Sequence, residues 1–323
     1  MRIIGPDYAV FGVEDLDACK QYMRDYGLIE AESSASGGIY RALDNTYIEI
    51  RKHSDKGLPP AMSPSPNVRE TVYGVETKAD LEAIGAELSR DRDVTSSADG
   101  TLRSQDDSGF HIGFRVARRV PINAAPLGVN CPGQPPQRGP NIIASYHDAV
   151  IVPRTFSHIV YFVPDVQKAE RFYIDRLKFR LVDRFTNAGP FLRPAANQEH
   201  HTLFLIQARP GSTGHHAIGC NHFTFHVSGA NEMFQAGWHF ARKGYKSFWG
   251  PGRHILGSNY FWYFNSPFGC AVEYDADMDL HDDSWVPREV PADKHTSQIF
   301  LFDYKEPWSP GSPETSPSKS VMD

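Results

Sequence analysis

The feature that most constrains the fold is an internal repeat between the two halves of the chain. The segment DYAVFGVEDLDACKQYMRDYGL, which begins at residue 7, aligns with SHIVYFVPDVQKAERFYIDRL, which begins at residue 157, at an offset of 150 residues. Each copy opens with the alternating apolar run of a half-buried strand. An aspartate follows in each, Asp15 or Asp165, where it can cap a helix. The repeat therefore predicts the same strand-then-helix pattern in both halves.

Two further matches extend the repeat. RETVYGVETKADLEAIGAEL (69–88) aligns with NHFTFHVSGANEMFQAGWHF (221–240), again as a strand and an amphipathic helix, with Gly85 under Gly237. DSGFHIGF (107–114) aligns with SPFGCAVEY (266–274). Each half then contains two βαβββ modules, and the predicted fold class is α+β. The predicted boundaries are an N-terminal domain over 1–122, a Pro-rich linker over 123–154, a C-terminal domain over 155–290, and a partly mobile, Pro- and Ser-rich extension over 291–323.

Composition excludes several classes of partner. The net charge is -6 and the sequence pI is about 6.2, which provides no basic field for nucleic acid or anionic membranes. No segment has the length and apolarity of a membrane span, and the N-terminus lacks the pattern of a signal peptide. The four cysteines are far apart in sequence, as expected of free thiols in a reducing compartment. We expect a cytoplasmic homo-oligomer that binds neither nucleic acid nor membrane.

The repeat places three metal-binding residue types in one half. His158, His222 and Glu273 lie at strand positions whose N-terminal counterparts are Tyr8, Glu70 and Gly113. Two imidazoles and one carboxylate on one face of a metal leave the other face open, an arrangement that suits non-haem Fe(II) in oxygen chemistry. His226 is an alternative to His222, because strand alternation places both on the same face.

These residues lie within motifs that resemble a known family, the type I extradiol dioxygenases of the vicinal oxygen chelate superfamily. The motifs are HHTL (200–203) and GRHILGSNYFWYFNSPFGCAVEY (252–274), and the resemblance covers about 1–290. It implies two domains of paired βαβββ modules and Fe(II), occasionally Mn(II), held in the C-terminal domain by His158, His222 and Glu273. One departure is that Ile255, Leu256 and Gly257 follow the signature histidine, where many members have Asn-Asp.

The resemblance also implies roles for residues around the metal. His201 is the expected acid–base residue, with His254 and Tyr263 as hydrogen-bonding partners of the substrate. Strand alternation is expected to turn His200 to the opposite face. The residues expected to contact substrate are Phe191, Arg193, Trp249, Arg253 and Phe261, with either arginine a candidate for reading a substrate carboxylate. Phe248 and Trp262 are further candidates for lining an apolar pocket.

The predicted function is meta cleavage of a catechol-type ring, with a small aromatic diol and O2 as the reactants. Three alternatives share the fold. A hydroquinone ring-cleaving dioxygenase would use the same metal site. A glyoxalase-like lyase or isomerase would need a fourth protein ligand, which Tyr8, Glu70 and Gly113 do not convincingly supply. A metal-free small-molecule binding protein would have no use for the ligand set.

Overall fold

The computed structural model describes residues 1–62, 67–145, 150–213 and 216–302. Within these residues the N-terminal half forms one sheet of eight strands, in the order β2-β3-β4-β1-β5-β8-β7-β6. The strands are β1 (Ile3–Val13), β2 (Ile29–Ser34), β3 (Gly37–Arg41), β4 (Tyr47–Lys52), β5 (Asn67–Val75), β6 (Thr95–Ser96), β7 (Leu102–Gln105) and β8 (His111–Val116).

The second half forms a larger sheet, in the order β17-β10-β11-β12-β9-β13-β16-β15-β14-β18. Its strands are β9 (Thr155–Val163), β10 (Phe179–Phe185), β11 (Gly189–Pro194), β12 (Leu203–Gln207), β13 (Gly219–His226), β14 (Ser247–His254), β15 (Tyr260–Asn265), β16 (Ala271–Ala276), β17 (Arg288–Val290) and β18 (Gln298–Leu301).

One helix follows the first strand of each module. The helices are α1 (Leu16–Tyr26), α2 (Lys78–Leu88), α3 (Val166–Arg171), which continues as a π-helical turn (Phe172–Arg176), and α4 (Ala230–Arg242). Asp15 and Asp165 cap α1 and α3, each accepting a hydrogen bond from the backbone N–H three residues later. Among the described residues, no helix is both long and apolar enough to cross a membrane.

The strand register confirms the repeat. Tyr8 lies opposite Val72 in the first sheet, and His158 lies opposite Thr224 in the second, which reproduces the offsets of 150 and 152. Gly113 and Glu273 occupy matching positions beside these pairs. The α+β architecture of paired βαβββ modules is therefore confirmed, and the strands that carry the ligand candidates, β9, β13 and β16, are neighbours in the middle of their sheet.

The two halves share one hydrophobic core. A single cluster of buried side chains includes residues from both sheets. At its centre the ring of Tyr26, at the end of α1, stacks on Tyr274 of β16 with 4.0 Å between ring centroids. The Tyr26 hydroxyl also donates a 2.5 Å hydrogen bond to the backbone oxygen of Glu273. The N-terminal half thus supports a strand that carries part of the metal centre.

The segments outside the modules differ from one another. The described part of the chain between β8 and β9, which is rich in proline, contains no helix or strand. The C-terminal extension is not separate from the second sheet, because β18 pairs with β14. The part of the extension that begins at residue 303 lies outside the described residues, so the expectation of mobility there stays a prediction. All four cysteines are free, and Cys131 is exposed whereas the others are buried.

Candidate metal centre

Three side chains converge on one point above the middle of the second sheet. His158 on β9, His222 on β13 and Glu273 on β16 are buried, and their ligand atoms all lie within 4.8 Å of one another. The His158 Nε2 to Glu273 Oε2 distance is 3.1 Å, and the His222 Nε2 to Glu273 Oε2 distance is 3.5 Å. They meet because adjacent strands present them in nearly one row of the sheet.

Neighbouring residues fix the tautomers of both histidines. The His222 Nδ1 lies 2.5 Å from Asn221 Oδ1, an acceptor, so that nitrogen carries the proton and Nε2 has the lone pair. The His158 Nδ1 lies 2.9 Å from Ser157 Oγ, whose own proton goes to Asp275 Oδ2 at 3.2 Å. His158 therefore also presents an unprotonated Nε2. Partners of this kind orient the imidazole ligands of metal sites.

The charges of the three groups suit a divalent cation. Burial lowers the pKa of His222 to about 3, so its ring is neutral near pH 7. Burial opposes ionisation of Glu273, but the surrounding imidazoles of His158, His254 and His222 outweigh it and lower the pKa of this carboxyl below its usual range. Two neutral imidazoles and one carboxylate result, with the two Nε2 lone pairs only 3.3 Å apart. A cation between them relieves their mutual repulsion.

Two further observations agree with a metal at this point. The Oε1 atom of Glu273 is buried without a hydrogen-bond partner, and such a group is costly unless something compensates it. The Thr224 hydroxyl donates a 2.5 Å hydrogen bond to Glu273 Oε2, which holds the carboxylate in place. The donor set therefore fits the 2-His-1-carboxylate arrangement. Sequence reasoning missed Thr224, although its register between His158 and Glu273 was available from the repeat.

His226 is not part of this cluster. Its Nδ1 lies 2.6 Å from Asp275 Oδ1, and its Nε2 lies 3.1 Å from Glu199 Oε1. Burial opposes a charge on the ring, but these two carboxylates outweigh burial and raise the pKa of His226 well above its usual range. A protonated imidazole has no lone pair for a metal. Between the two candidates on β13, the geometry favours His222.

The predicted acid–base residue lies beside the centre. His201 is buried, and its ring centroid is 4.3 Å from that of His158. Burial, with the nearby histidines, holds the pKa of His201 well below its usual value. The reason expected for the orientation of His200 is wrong. Residues 199–202 lie before β12 rather than within it, so strand alternation does not apply, and His200 Nδ1 lies 2.9 Å from His201 Nδ1.

His254 and Tyr263 form the opposite wall. The His254 Nε2 is 3.3 Å from the Tyr263 hydroxyl, and its Nδ1 is 3.1 Å from the backbone oxygen of Ser297. Since a carbonyl only accepts, Nδ1 carries the proton and Nε2 is the acceptor. Burial and the carboxylate of Glu273 raise the pKa of Tyr263 well above 10, so its hydroxyl stays protonated. Ser297, directly before β18, was not predicted from sequence.

These groups surround a cavity of about 300 Å³. Of the five residues predicted to contact substrate, Phe191 and Trp249 line the cavity, as does Phe248. Residues that sequence reasoning missed complete the wall: Phe185, Phe204, Ile206, Asn221, Leu256, Asn259, Ala271 and Ser297. The sequence of β12, LFLIQ, could have indicated part of this wall, because it is apolar on both faces. A strand face exposed to solvent would be polar.

Three predicted contacts are not among the lining residues. Arg193 is buried and bound to Asp283 at 2.8 Å, and Arg253 pairs with Asp277 at 3.0 Å. Phe261 lies behind the wall, where its ring stacks on His254 with 4.0 Å between centroids. The two arginines are committed to surface carboxylates, so the interpretation of either as a reader of a substrate carboxylate is wrong. Trp262 also points away, toward α4.

The matching place in the first sheet has a different chemistry. Tyr8 and Glu70 occupy the positions of two ligands, and Arg103 occupies the position of Tyr263, one strand further. The Arg103 guanidinium lies 2.8 Å from Glu70 Oε1 and 3.3 Å from the Tyr8 hydroxyl. The charge of the Glu70 carboxylate is therefore already balanced by an arginine, where the second sheet has a candidate metal site. The two halves share a fold but not a site.

Comparisons with known proteins agree with this division. Residues 155–274 match the model of the glyoxalase/bleomycin resistance protein/dioxygenase superfamily. Over 166 residues the chain is 36% identical to metapyrocatechase 2 of Cupriavidus necator, a match that covers 51% of this chain and 47% of that protein. It is 24% identical over 329 residues to an iron-dependent extradiol dioxygenase of Rhodococcus jostii (strain RHA1), covering 90% of this chain and 95% of that protein.

Solved structures show the same fold over nearly the whole chain. The 2,2',3-trihydroxybiphenyl 1,2-dioxygenase of Sphingomonas wittichii strain RW1 is 20% identical with a TM-score of 0.70, covering 94% of this chain and 100% of that one. A Mn(II)-bound glyoxalase of Novosphingobium aromaticivorans is 21% identical with a TM-score of 0.70, covering 92% and 90%. As the repeat and signature predict, residues 155–274 are similar to the glyoxalase/bleomycin resistance protein/dioxygenase superfamily, and the chain is similar to a metapyrocatechase and an extradiol dioxygenase.

Proposed function

We propose that this chain is an iron-dependent extradiol dioxygenase, which inserts both atoms of O2 into a catechol ring and opens the ring beside its hydroxyl groups. The observation that carries the proposal is the convergence of His158, His222 and Glu273 at the edge of an apolar cavity. The tautomers and charges of these residues match the ligand set of non-haem iron oxygenases. The relatives named above carry out, by their names, reactions of this class.

The proposed metal is Fe(II), with Mn(II) as an alternative that the same donor set accepts. When bound, it would supply open coordination positions for the catechol oxygens and O2, and it would carry electrons between them. The protein holds the three ligands on rigid strands, so the reactants would be placed without a large rearrangement.

The surrounding residues would move and hold protons. His201 is neutral, so it can accept a proton from one catechol hydroxyl and return it later in the reaction. The protonated Tyr263 would donate a hydrogen bond to a substrate oxygen, and His254 Nε2 would accept the second hydroxyl proton or the proton of Tyr263. Each group lines the cavity beside the ligands.

The cavity wall favours an uncharged substrate. Among the described lining residues there is no lysine or arginine, and the Phe191 and Phe204 rings stack with 3.9 Å between centroids. Burying an ionised carboxylate here without a partner would be strongly unfavourable. We therefore expect catechols with an apolar substituent to bind, and carboxylated catechols to bind much more weakly.

The test is a substrate panel with metal analysis. The protein is purified without O2, its iron is measured, and alkyl-, aryl- and carboxyl-substituted catechols are supplied together with a hydroquinone. We expect about one iron per chain and a yellow ring-fission product from the apolar catechols. Turnover of the hydroquinone alone would favour the hydroquinone-cleaving alternative. Isomerisation of a hemithioacetal without O2 uptake would favour the glyoxalase-like one.

We also propose that the enzyme is a cytoplasmic homo-oligomer. Four free cysteines suit a reducing compartment. Exposed apolar side chains on and around β18, among them Phe248, Ile299 and Phe302, offer a surface for a second copy. Light scattering tests the assembly state, since a mass of one chain at micromolar concentration would contradict it, and fractionation of cells tests the location.

A further inference from the structure

A chain of hydrogen bonds connects the proposed acid–base residue to a buried carboxylate. His201 Nδ1 lies 2.9 Å from His200 Nδ1, and His200 Nε2 lies 2.8 Å from Asp183 Oδ2. Asp183 is on β10, and both it and His200 are fully shielded from solvent. Arg288 of β17 closes the far end, donating from its backbone N–H to Asp183 Oδ1 at 2.8 Å and from Nη2 to Oδ2 at 2.5 Å.

The direction of each hydrogen bond follows from the carboxylate. Burial opposes ionisation of Asp183, but hydrogen bonds from His200 and Arg288 outweigh it and lower the pKa of this carboxyl to about 2. An ionised carboxylate only accepts, so His200 Nε2 must carry the proton. Burial also lowers the pKa of His200, which leaves its ring neutral with an unprotonated Nδ1. That atom can only accept, so His201 Nδ1 must donate, and the lone pair of His201 is on Nε2.

The ring of His200 has little freedom to depart from this arrangement. Its backbone N–H donates to the Asp279 carbonyl at 2.8 Å. Gly257, with a φ of +85°, packs so closely that an added Cβ would lie 3.0 Å from His200 Nδ1. The ring of Phe191 covers another side, at 5.3 Å between centroids. A larger residue at 257 would displace the ring.

We propose that Asp183 and His200 are positioning residues that hold His201 in the one tautomer able to accept a proton from substrate. This inference rests on the proposed function and deepens it. The logic is that of other catalytic groups oriented by a second histidine or carboxylate, where the wrong tautomer retains the geometry and loses the rate. It also explains why the two histidines are adjacent in sequence. The bend at residue 200 lets both rings face each other.

Asp183→Asn is the variant expected to reverse the direction of the hydrogen bonds between residue 183, His200 and His201. The backbone N–H and Nε of Arg288 would keep the amide oxygen at the Oδ1 position while Nη2 loses its acceptor, so the amide NH2 would face His200 Nε2 and force that nitrogen to accept. His200 would then donate from Nδ1, His201 would accept there, and His201 Nε2 would carry the proton. We expect kcat for an apolar catechol to fall by roughly 10²-fold or more, with KM and iron content close to those of the wild type.

The tautomer itself is measured by nitrogen NMR. Metal-free, full-length protein is labelled with 15N-histidine, and the His201→Asn spectrum assigns the His201 ring. We expect a protonated Nδ1 and an unprotonated Nε2 in the wild type, and the reverse in Asp183→Asn. This readout does not depend on turnover, so it separates the inference from the proposed function, which stands or falls with ring cleavage by the wild type.

Two further variants complete the test. His200→Gln offers an amide oxygen to His201 Nδ1 and should retain more activity than His200→Phe, which offers no acceptor. Asp106→Asn is the matched control, because Asp106 is also a buried aspartate, between β7 and β8, and accepts hydrogen bonds from the Phe110 backbone and the Tyr173 hydroxyl rather than from a histidine. It should leave kcat and the His201 tautomer unchanged. An unchanged tautomer in Asp183→Asn, or equal kcat for the two His200 variants, would overturn the inference.

Discussion

Each histidine around the candidate metal centre has a neighbour that determines which ring nitrogen carries its proton. Asn221 and Ser157 do so for the two histidine ligands, and the Ser297 carbonyl does so for His254. A histidine in a buried site is ambiguous between two tautomers, and the wrong one can neither ligate nor accept. His222 and His226, which lie two residues apart on β13, should therefore behave differently because their hydrogen-bond partners differ.

His222 and His226 should differ in metal binding. His222→Gln removes a ligand, so bound iron should fall to a small fraction of the wild-type stoichiometry. His226→Gln should keep iron near one per chain, since its partners are Asp275 and Glu199. Iron is measured by elemental analysis after anaerobic loading. Loss of iron in His226→Gln together with retention in His222→Gln would show that the register is wrong.

The same two residues should have opposite effects on how the free energy of unfolding depends on pH. The folded-state pKa of His226 is raised, so its contribution is fully present below the unfolded pKa of about 6.5 and is lost as pH rises through the folded value. Wild type should exceed His226→Gln by roughly 3 kcal/mol at pH 6, and by less at higher pH. Urea unfolding of the metal-free proteins at several pH values measures this.

The control is His222, whose folded pKa is lowered to about 3. Below pH 6.5 its unfolded form takes up a proton that the folded form excludes, so the wild type should lose stability relative to His222→Gln as pH falls. A constant difference between wild type and His226→Gln across the range would mean that the ion pairs do not form.

These residues show which parts of the candidate site could be predicted from the sequence alone. The repeat register identified His158, His222 and Glu273, because strand positions map directly from one copy to the other. It failed at His200, which lies in a bend where alternation does not hold. It also failed at Arg193 and Arg253, because the partners of a long side chain depend on loops that no periodicity describes.

At the scale of elements, the equivalent helices α2 and α4 test the packing of the two sheets. An added Cβ at Gly237 of α4 would overlap the indole of Trp262, whereas at Gly85 of α2 it meets only the end of the Leu102 side chain at 3.0 Å. Gly237→Ala should cost about 1–3 kcal/mol through overpacking. Gly85→Ala should be near neutral, since helix propensity gains up to about 1 kcal/mol. Chemical denaturation compares them, and equal effects would contradict the helix–sheet packing.

Among the described strands, β18 has no counterpart in the first sheet. We expect it to matter for activity because the residue before it lines the cavity. Ser297, which begins this segment, fixes the tautomer of His254. A chain ending at Asp293 should bind iron but show a kcat lowered by about tenfold or more, as for loss of one proton-transfer group. A chain ending at Phe302 is the matched control and should keep its kcat. Equal activity of the two chains would separate β18 from the site.

For the whole molecule, the two halves depend on each other more than the predicted boundaries suggest. The predicted boundaries at 122 and 155 divide the chain into two domains, yet one apolar core joins both sheets. Hydrophobic periodicity indicates which face of an element is buried and does not identify its partner. Hence the modules were predictable, whereas the stacking of Tyr26 on Tyr274 was not.

The shared core leads to a prediction about the isolated catalytic half. Residues 155–302 alone would expose the apolar surface that α1 and β1 cover, including Phe223, whose ring lies 5.1 Å from that of Phe11. We expect this fragment to aggregate or to lack a cooperative unfolding transition. Circular dichroism and light scattering test it, with the full chain as control. A fragment that folds cooperatively and binds iron would show that the halves are independent.

The central claim is that three residues of one half hold an iron at which O2 is added to a catechol. Iron-loaded protein is mixed with an alkyl-substituted catechol under 18O2, quenched before carbonyl oxygens exchange with water, and the ring-fission product is weighed by mass spectrometry. The account predicts that both added oxygen atoms carry the label in the wild type, and that Glu273→Gln forms essentially no product. Incorporation of one labelled atom or none, or a wild-type rate in Glu273→Gln, would contradict it.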